Sequence, residues 1–365
     1  MEDRYSKMLR ALFLTVGMVC VGADATQAVD GICGSANGNL TGTAPTTNLC
    51  SAGAPSPAES MTTYYVSSVI GQDSNAGTSA TASLATLQAA ANLVKPGDTV
   101  QVMSGTYVPV TITTSGTASA PITFEAAPGH TPVIDSAGSW NGINIQASYI
   151  VVSGFTVVGD AANYTLSQAL AGYSTGNAAL DGNGIIVKPS SSVPLPNHIR
   201  IANNTVYNEP GGGIGSDGAD YLQILNNVVH DNAHWSAYGN SGITVNTSKN
   251  LDTNPGAHSI ISGNVVFNNA ELVPEYRAGK ITDGEGINLD TNSGYTGQIL
   301  VQNNTVYGNG GPGIESFLTD NAVITGNTVY GNNTQHTQAA SVAEIFINQS
   351  NNNTVANNIT TAPER

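Results

Sequence analysis

Charge is what this chain has least of. Charged residues are 10% of the 365 residues, against about a quarter in an average globular protein. Lys and Arg number 10 while Asp and Glu number 25, for a formal net charge of −15. That balance excludes a nucleic-acid partner, because phosphate binding needs clustered cations. Solubility must come instead from Asn, Thr, Ser and Gly, of which Gly alone supplies 41 residues. Cysteine is scarce too, at 3 residues, so one disulfide is the most the chain can close on itself. Long apolar runs are missing after the N-terminus, which leaves no membrane span to expect.

The N-terminus itself reads as an export signal over residues 1–25. Arg4, Lys7 and Arg10 precede an apolar run from Ala11 to Gly22, and Ala23-Asp24-Ala25 supplies an A-x-A cleavage pattern. The expected location is therefore outside the cytoplasm, extracellular or periplasmic. Cys20 would leave with the signal, and Cys33 and Cys50 then form one disulfide across a Gly/Asn/Thr-rich loop. Residues 26–60 have almost no hydrophobic periodicity and read as a linker.

From residue 61 to 365 the texture changes. Tyr64-Tyr65-Val66-Ser67 reads as a strand. Leu84, Leu87, Ala90, Ala91 and Val94 fall on one face of a single amphipathic helix, stopped by Lys95-Pro96-Gly97. Placed before a region of strands only, such a helix is suited to cover the open end of a stack. Short β-branched runs then alternate with Gly/Asn/Asp turns. One motif, an aliphatic run followed by Gly or Asn, then Asn and a Val/Ile pair, recurs with its Asn at Asn204, Asn227, Asn264, Asn304, Asn327 and Asn358. Gly154 is taken to hold the same place in an earlier copy. The shortest separation is 23 residues, and longer ones place their extra length in loops. A unit of that size predicts an all-β parallel β-helix, in which equivalent asparagines stack into a ladder.

The repeat also yields a map. The third strand of successive coils is Gly184–Lys188, Gly213–Asp217, Ser241–Asn246, Glu285–Asp290, Gly313–Phe317 and Glu344–Asn348. Period two sends Ile185, Ile214, Ile243, Ile287, Ile314 and Ile345 inward. One outward column then reads Lys188, Asp217, Asn246, Asp290, Phe317, Asn348, and the other Ile186, Gly215, Thr244, Asn288, Glu315, Phe346. The stretch Gly263–Asp290 interrupts the repeat with a long loop carrying Glu275, Tyr276, Arg277, Lys280 and Asp283. Another loop brings His234, Trp235 and Tyr238. Insertions gathered on one side of a solenoid mark a binding face. Lys188, Asn246, Asn288, Glu315, His234, Trp235, Tyr238 and Tyr276 are thus candidate substrate contacts. Asp217 and Asp290, two rungs or roughly 9–10 Å apart, could share a Ca²⁺ with Asn246. Bland readings stand beside these: outward Asp and Asn are commonly solvated, Lys188 could pair with Asp217, and Trp235 and Tyr238 could pack their loop down.

The segment Tyr64–Asp135 carries a resemblance. Its YYVS, G-x-D-x-N-x-G-T, A-T-L-x-x-A, PGDTV, SGTY, G-T-x-x-x-P-I-T-F and P-V-I-D elements resemble the start of secreted bacterial right-handed parallel β-helix proteins of the pectate lyase superfamily. With the asparagine repeats the similarity covers about 300 residues. It implies a right-handed β-helix with an N-terminal capping helix. It also implies a polysaccharide partner, a groove along the third-strand flank, and β-elimination on a uronate polymer, assisted by Ca²⁺ or a basic residue. The clustered Asp motif of calcium-dependent pectate lyases is not found. For elimination, Lys280 would be the base and Arg277 the charge neutraliser, with Asp283 and Glu285 opposing loss of the lysine's proton. Two other expectations stand: a glycoside hydrolase pairing Asp290 with Asp283, Glu285 or Glu315, and a non-catalytic adhesive β-helix. The chain is expected to act as a monomer.

Overall fold

Residues 61–173, 175–335 and 343–361 are described by a computed structural model. The export signal, the linker and the Cys33–Cys50 pairing fall outside those residues.

Each coil consists of three short strands, and every strand pairs in parallel with its equivalent one coil away. Sheet one has 10 strands, from Thr63–Val66 to Thr354–Ala356; sheet two has 9, from Gly105–Tyr107 to Ile359–Thr361; sheet three has 8, from Val110–Ile112 to Ile345–Asn348. The core is built by stacking like on like. Val157, Val206, Val229, Val266, Val306 and Val329 form a fully buried column behind sheet two. Ile185, Ile214, Ile243, Ile287 and Ile314 do the same behind sheet three, all at 0% exposure, while Ile345 is partly buried against the core. Burying each such side chain is worth about 1.5–3 kcal/mol.

The recurring asparagine explains itself at the corner between sheets one and two. Asn204, Asn227, Asn264, Asn304, Asn327 and Asn358 form one ladder, each Nδ2 donating to the next Oδ1 at 2.9–3.1 Å. The residue before each must turn with positive φ, which only Gly, or Asn at modest cost, adopts readily. Gly154, Asn203, Asn226, Gly263, Asn303, Gly326 and Asn357 all do. Gly154 therefore matches this turning position rather than the ladder itself. Phe155 holds the ladder place in that coil, its N–H donating to Asn204 Oδ1.

A second ladder, not foreseen, lines the corner between sheets two and three. Asn232, Asn269, Asn309 and Asn332 repeat the same side-chain bonds at 2.8–2.9 Å. Glu209 begins it, its N–H donating to Asn232 Oδ1, and Glu344 ends it, accepting from Asn332 Nδ2. The room comes from glycine: a Cβ at Gly213, Gly242, Gly286 or Gly313 would lie within 3.0 Å of the Nδ2 of Asn232, Asn269, Asn309 or Asn332.

The amphipathic helix is α1, Leu87–Leu93, capped by Thr86, with Leu87, Ala90 and Ala91 buried. It contacts Thr63–Val66 and Val110–Ile112, the first strands of sheets one and three. Leu84 lies outside it, bridging Val66. Two short helices that the periodicity did not reveal, α2 (Leu166–Ala171) and α3 (Ala178–Asp181), occupy the loop before Asn183–Val187. No helix among the described residues is long and apolar enough to cross a membrane.

Candidate active site

The loop that breaks the repeat leaves the inner asparagine ladder at Asn269 and re-enters sheet three at Ile287–Asp290. Its return is pinned by Gly284. Its φ is +93°, and a Cβ there would lie 2.5 Å from the Glu271 nitrogen. That turn places Asp283 and Glu285 on either side of the glycine, at the mouth of the strand. Register then adds the rest: Asn288 lies beside Glu315, and Asp290 beside Phe317 and Asn246.

Carboxylates thus meet at one place. Glu285 is fully buried and accepts from Ser241 Oγ at 2.7 Å. Asn288 bridges its neighbours, its Nδ2 donating to Asp283 Oδ1 at 3.3 Å and Glu285 Oε2 at 3.5 Å. Burial and the adjacent carboxylates push Asp283 up to about 6 and Glu315 up to about 7. Glu285 is raised well above the usual carboxylate range by burial, then by Asp283 and Glu315. Glu285 and Glu315 lie within reach of one another, and burial together with neighbouring carboxylates raises both. Asp290 is raised mainly by burial and accepts from Thr291 Oγ1 at 2.7 Å. A group of this kind holds both protonated and ionised carboxyls near neutral pH, the condition for paired acid and base work.

Around this group the other expected residues separate. Tyr238 and Tyr276 stand half exposed, edge to face at 5.3 Å, with the Arg277 guanidinium 5.3 Å over the Tyr276 ring. A Cβ on Gly239 would lie 2.6 Å from Asp283 Oδ2, so this aromatic lip adjoins the carboxylates. Arg277 also donates to Tyr276 Oη, and Glu275 Oε2 accepts from the Arg277 and Ala278 N–H groups. Lys280 closes that tip by bridging Glu275 and lies exposed. The charges that act on Asp283, Glu285 and Glu315 are other carboxylates, not these cations. In this structure the bonds of Lys280 and Arg277 run within the loop tip.

Trp235 is a packing residue. Its indole N–H donates to the Ala161 carbonyl at 2.7 Å and its ring joins a satellite core of Ala169, Leu180 and Val273. His234 lies beside Asp231 and the Asn268 backbone, its ring edge to face with Trp235 at 5.8 Å, and burial lowers its pKa. Lys188 follows Val187, whose partner is Ser216, so it extends the column of Asp217, Asn246 and Asp290. Asp217 is exposed and takes the Thr247 hydroxyl, while Asp290 takes that of Thr291. Among the described residues no group of three or more His, Cys, Asp and Glu could hold a metal ion.

One residue the sequence did not single out is Glu271. It is fully buried, and its Oε2 accepts from the Thr282 and Asp283 N–H groups at 2.7 and 3.0 Å. Burial and then the Asp283 charge push it up to about 8. Its sequence signal is its place at the start of the loop that breaks the repeat, two residues after Asn269.

A family model described as Pel9A-like, right handed beta helix region, matches residues 64–358. No curated protein matches the chain. Among solved structures, pectate lyase Pel9A shares 18% identity over 82% of this chain and 78% of its own, with a TM-score of 0.48. XylC in complex with xylose shares 12% over 74% of this chain and 62% of its own, at 0.46. A GH136 lacto-N-biosidase from Eubacterium ramulus shares 15% over 81% and 68%, at 0.43. With three parallel sheets in register and a family match over residues 64–358, the chain belongs to the Pel9A-like right-handed β-helix family.

Proposed function

We propose that the protein is an exported carbohydrate-active enzyme that cleaves glycosidic bonds with paired carboxyls. The observation that carries this is the meeting of Asp283, Glu285, Asp290 and Glu315 at one end of sheet three, every one with its pKa raised by burial. In this reading Glu315 protonates the glycosidic oxygen as the C–O bond breaks, and Glu285 resupplies the proton. Asp290 acts on the anomeric carbon side, taking a proton from the water whose oxygen bonds that carbon, or bonding the carbon first itself. By strand and rung spacing their Cα atoms are roughly 8 Å apart, close enough for either course. Asp283 keeps the group crowded with negative charge, and Tyr238 and Tyr276 offer ring faces to a sugar. Incubation with a panel of polysaccharides should release reducing ends, and Asp290→Asn and Glu315→Gln should each remove that release. Release undiminished in both variants would refute the assignment.

A second reading, β-elimination on a uronate polymer, draws its support from membership of a family named for a Pel9A-like helix. It would use Lys280 as base and Arg277 beside the substrate carboxylate, with Asp217, Asn246 and Asp290 meeting Ca²⁺ only together with an acidic sugar. It requires the Glu275–Lys280 tip to fold over the groove. Its mark is an ultraviolet-absorbing unsaturated product that Lys280→Ala abolishes.

A further inference from the structure

The hydroxyl and amide donors around the carboxylate group are already spent. Ser241 Oγ is bound to Glu285, Thr282 Oγ1 to Asp283 and Thr291 Oγ1 to Asp290. Both amide protons of Asn288 go to Asp283 and Glu285, while its Oδ1, buried on the outward column, has no hydrogen-bond partner. Asp283, Asp290 and Asn288 Oδ1 are thus acceptors or charge-bearing groups beside the outward columns of sheet three, and Glu315 is the one with a proton to give. The loop cation Arg277 is turned onto Tyr276, and Glu275 gathers the tip that carries it.

A ligand must therefore bring donors and no negative charge. We propose that the groove takes a neutral, hydroxyl-rich glycan and rejects uronates, because its floor is built from acceptors whose own donors are used up. Each sugar hydroxyl supplies a donor for one of these oxygens, and the unpartnered Asn288 Oδ1 is the first in need of one. A uronate carboxylate would instead meet several like charges in a partly desolvated cleft. The half-exposed Tyr238–Tyr276 pair suits the apolar face that a neutral ring presents.

This inference rests on the carboxylate group being the binding site, and its test separates the two. The full-length protein, processed as the cell processes it, is titrated calorimetrically at neutral pH with xylo-, gluco- and galacto-hexasaccharides. Oligogalacturonate and oligomannuronate of the same length follow, with and without Ca²⁺. At least one neutral hexasaccharide should bind tenfold or more tightly than either uronate. In the double variant Asp290→Asn, Glu315→Gln, uronate affinity should rise tenfold or more, since the repelling charges are gone. Uronates binding more tightly than every neutral sugar, or no neutral sugar binding at all, would overturn the proposal. A uronate bound and cut to saturated reducing ends would overturn it while leaving the paired-carboxyl chemistry standing. A neutral sugar bound but never cut would support it and overturn that chemistry.

Discussion

Two sets of gathered polar side chains lie in this molecule, and they are opposites. In the asparagine ladders each amide both donates and accepts, so a buried row of polar groups is satisfied rung after rung. In the sheet-three group the side chains that meet are acids that can only crowd one another unless they keep protons. Buried amides in register stabilise a coil stack; buried acids brought together work against it. A fold that can pair its interior so fully has little structural reason to gather Asp283, Glu285 and Glu315. The paired-carboxyl proposal gives that gathering a reason.

That contrast can be broken from either side. Asp290→Asn should have the largest effect, lowering turnover by about a hundred- to ten-thousandfold while leaving thermal stability level or higher. Kinetics and a melting curve on one preparation check both halves. Asn264→Ala should do the reverse. It strips the ladder of an amide that donates to Asn304 and accepts from Asn227, at a cost of about 2–4 kcal/mol. Tm should fall by roughly 5–10 °C, with turnover per folded molecule unchanged; equal losses from both variants would erase the distinction.

A subtler difference lies in pH. Glu209 and Glu271 are pushed up to about 8, Glu315 to about 7 and Asp283 to about 6. Carboxyls raised on folding bind more protons in the native state than in the unfolded chain. Their effect is to lose stability as pH climbs from the ordinary carboxylate range through these values. His198 and His234, lowered by burial from 6.5, act in the opposite sense on the acid side. With more acids than histidines shifted, Tm should be higher at pH 5 than at pH 8, and Glu209→Gln should flatten the slope. A rising slope would contradict the buried acids. The smallest change is expected from Glu271→Gln. Relieving Asp283 of a like charge lets it ionise at lower pH, which holds the proton on Glu315 and should move the alkaline limb of the pH–rate profile up by less than about one unit. A variant that only loosened the loop would lower activity without moving that limb.

The coil plan was legible because it is written in period two and in equal spacings. The pairings Asn288–Glu315 and Asp290–Phe317 follow from aligning strands alone. The second ladder was equally open to reading, since Asn232, Asn269, Asn309 and Asn332 each follow a first-ladder asparagine by five positions. Those residues sit where loops begin, which hides their period. What no alignment of strands could supply was the course of the inserted loop. Where Asp283 and Glu271 meet depends on one left-handed glycine and on Glu271 gripping two backbone N–H groups. The basic residues are conspicuous through rarity, and their bonds in this structure run to the loop tip itself: Arg277 to Tyr276 and the Arg277 N–H to Glu275.

The inner ladder has an arrow. Its bonds all run one way, from the Glu209 N–H through four amides to the Glu344 carboxylate, which can accept but has nothing to pass on. A glutamate at that last place is therefore a full stop, and the glutamate at the first is a capital letter. New coils of the 23-residue kind could be spliced between them, extending the groove by whole rungs, because each would receive and hand on the same bond. Coils added past Glu344 would find no amide to continue from.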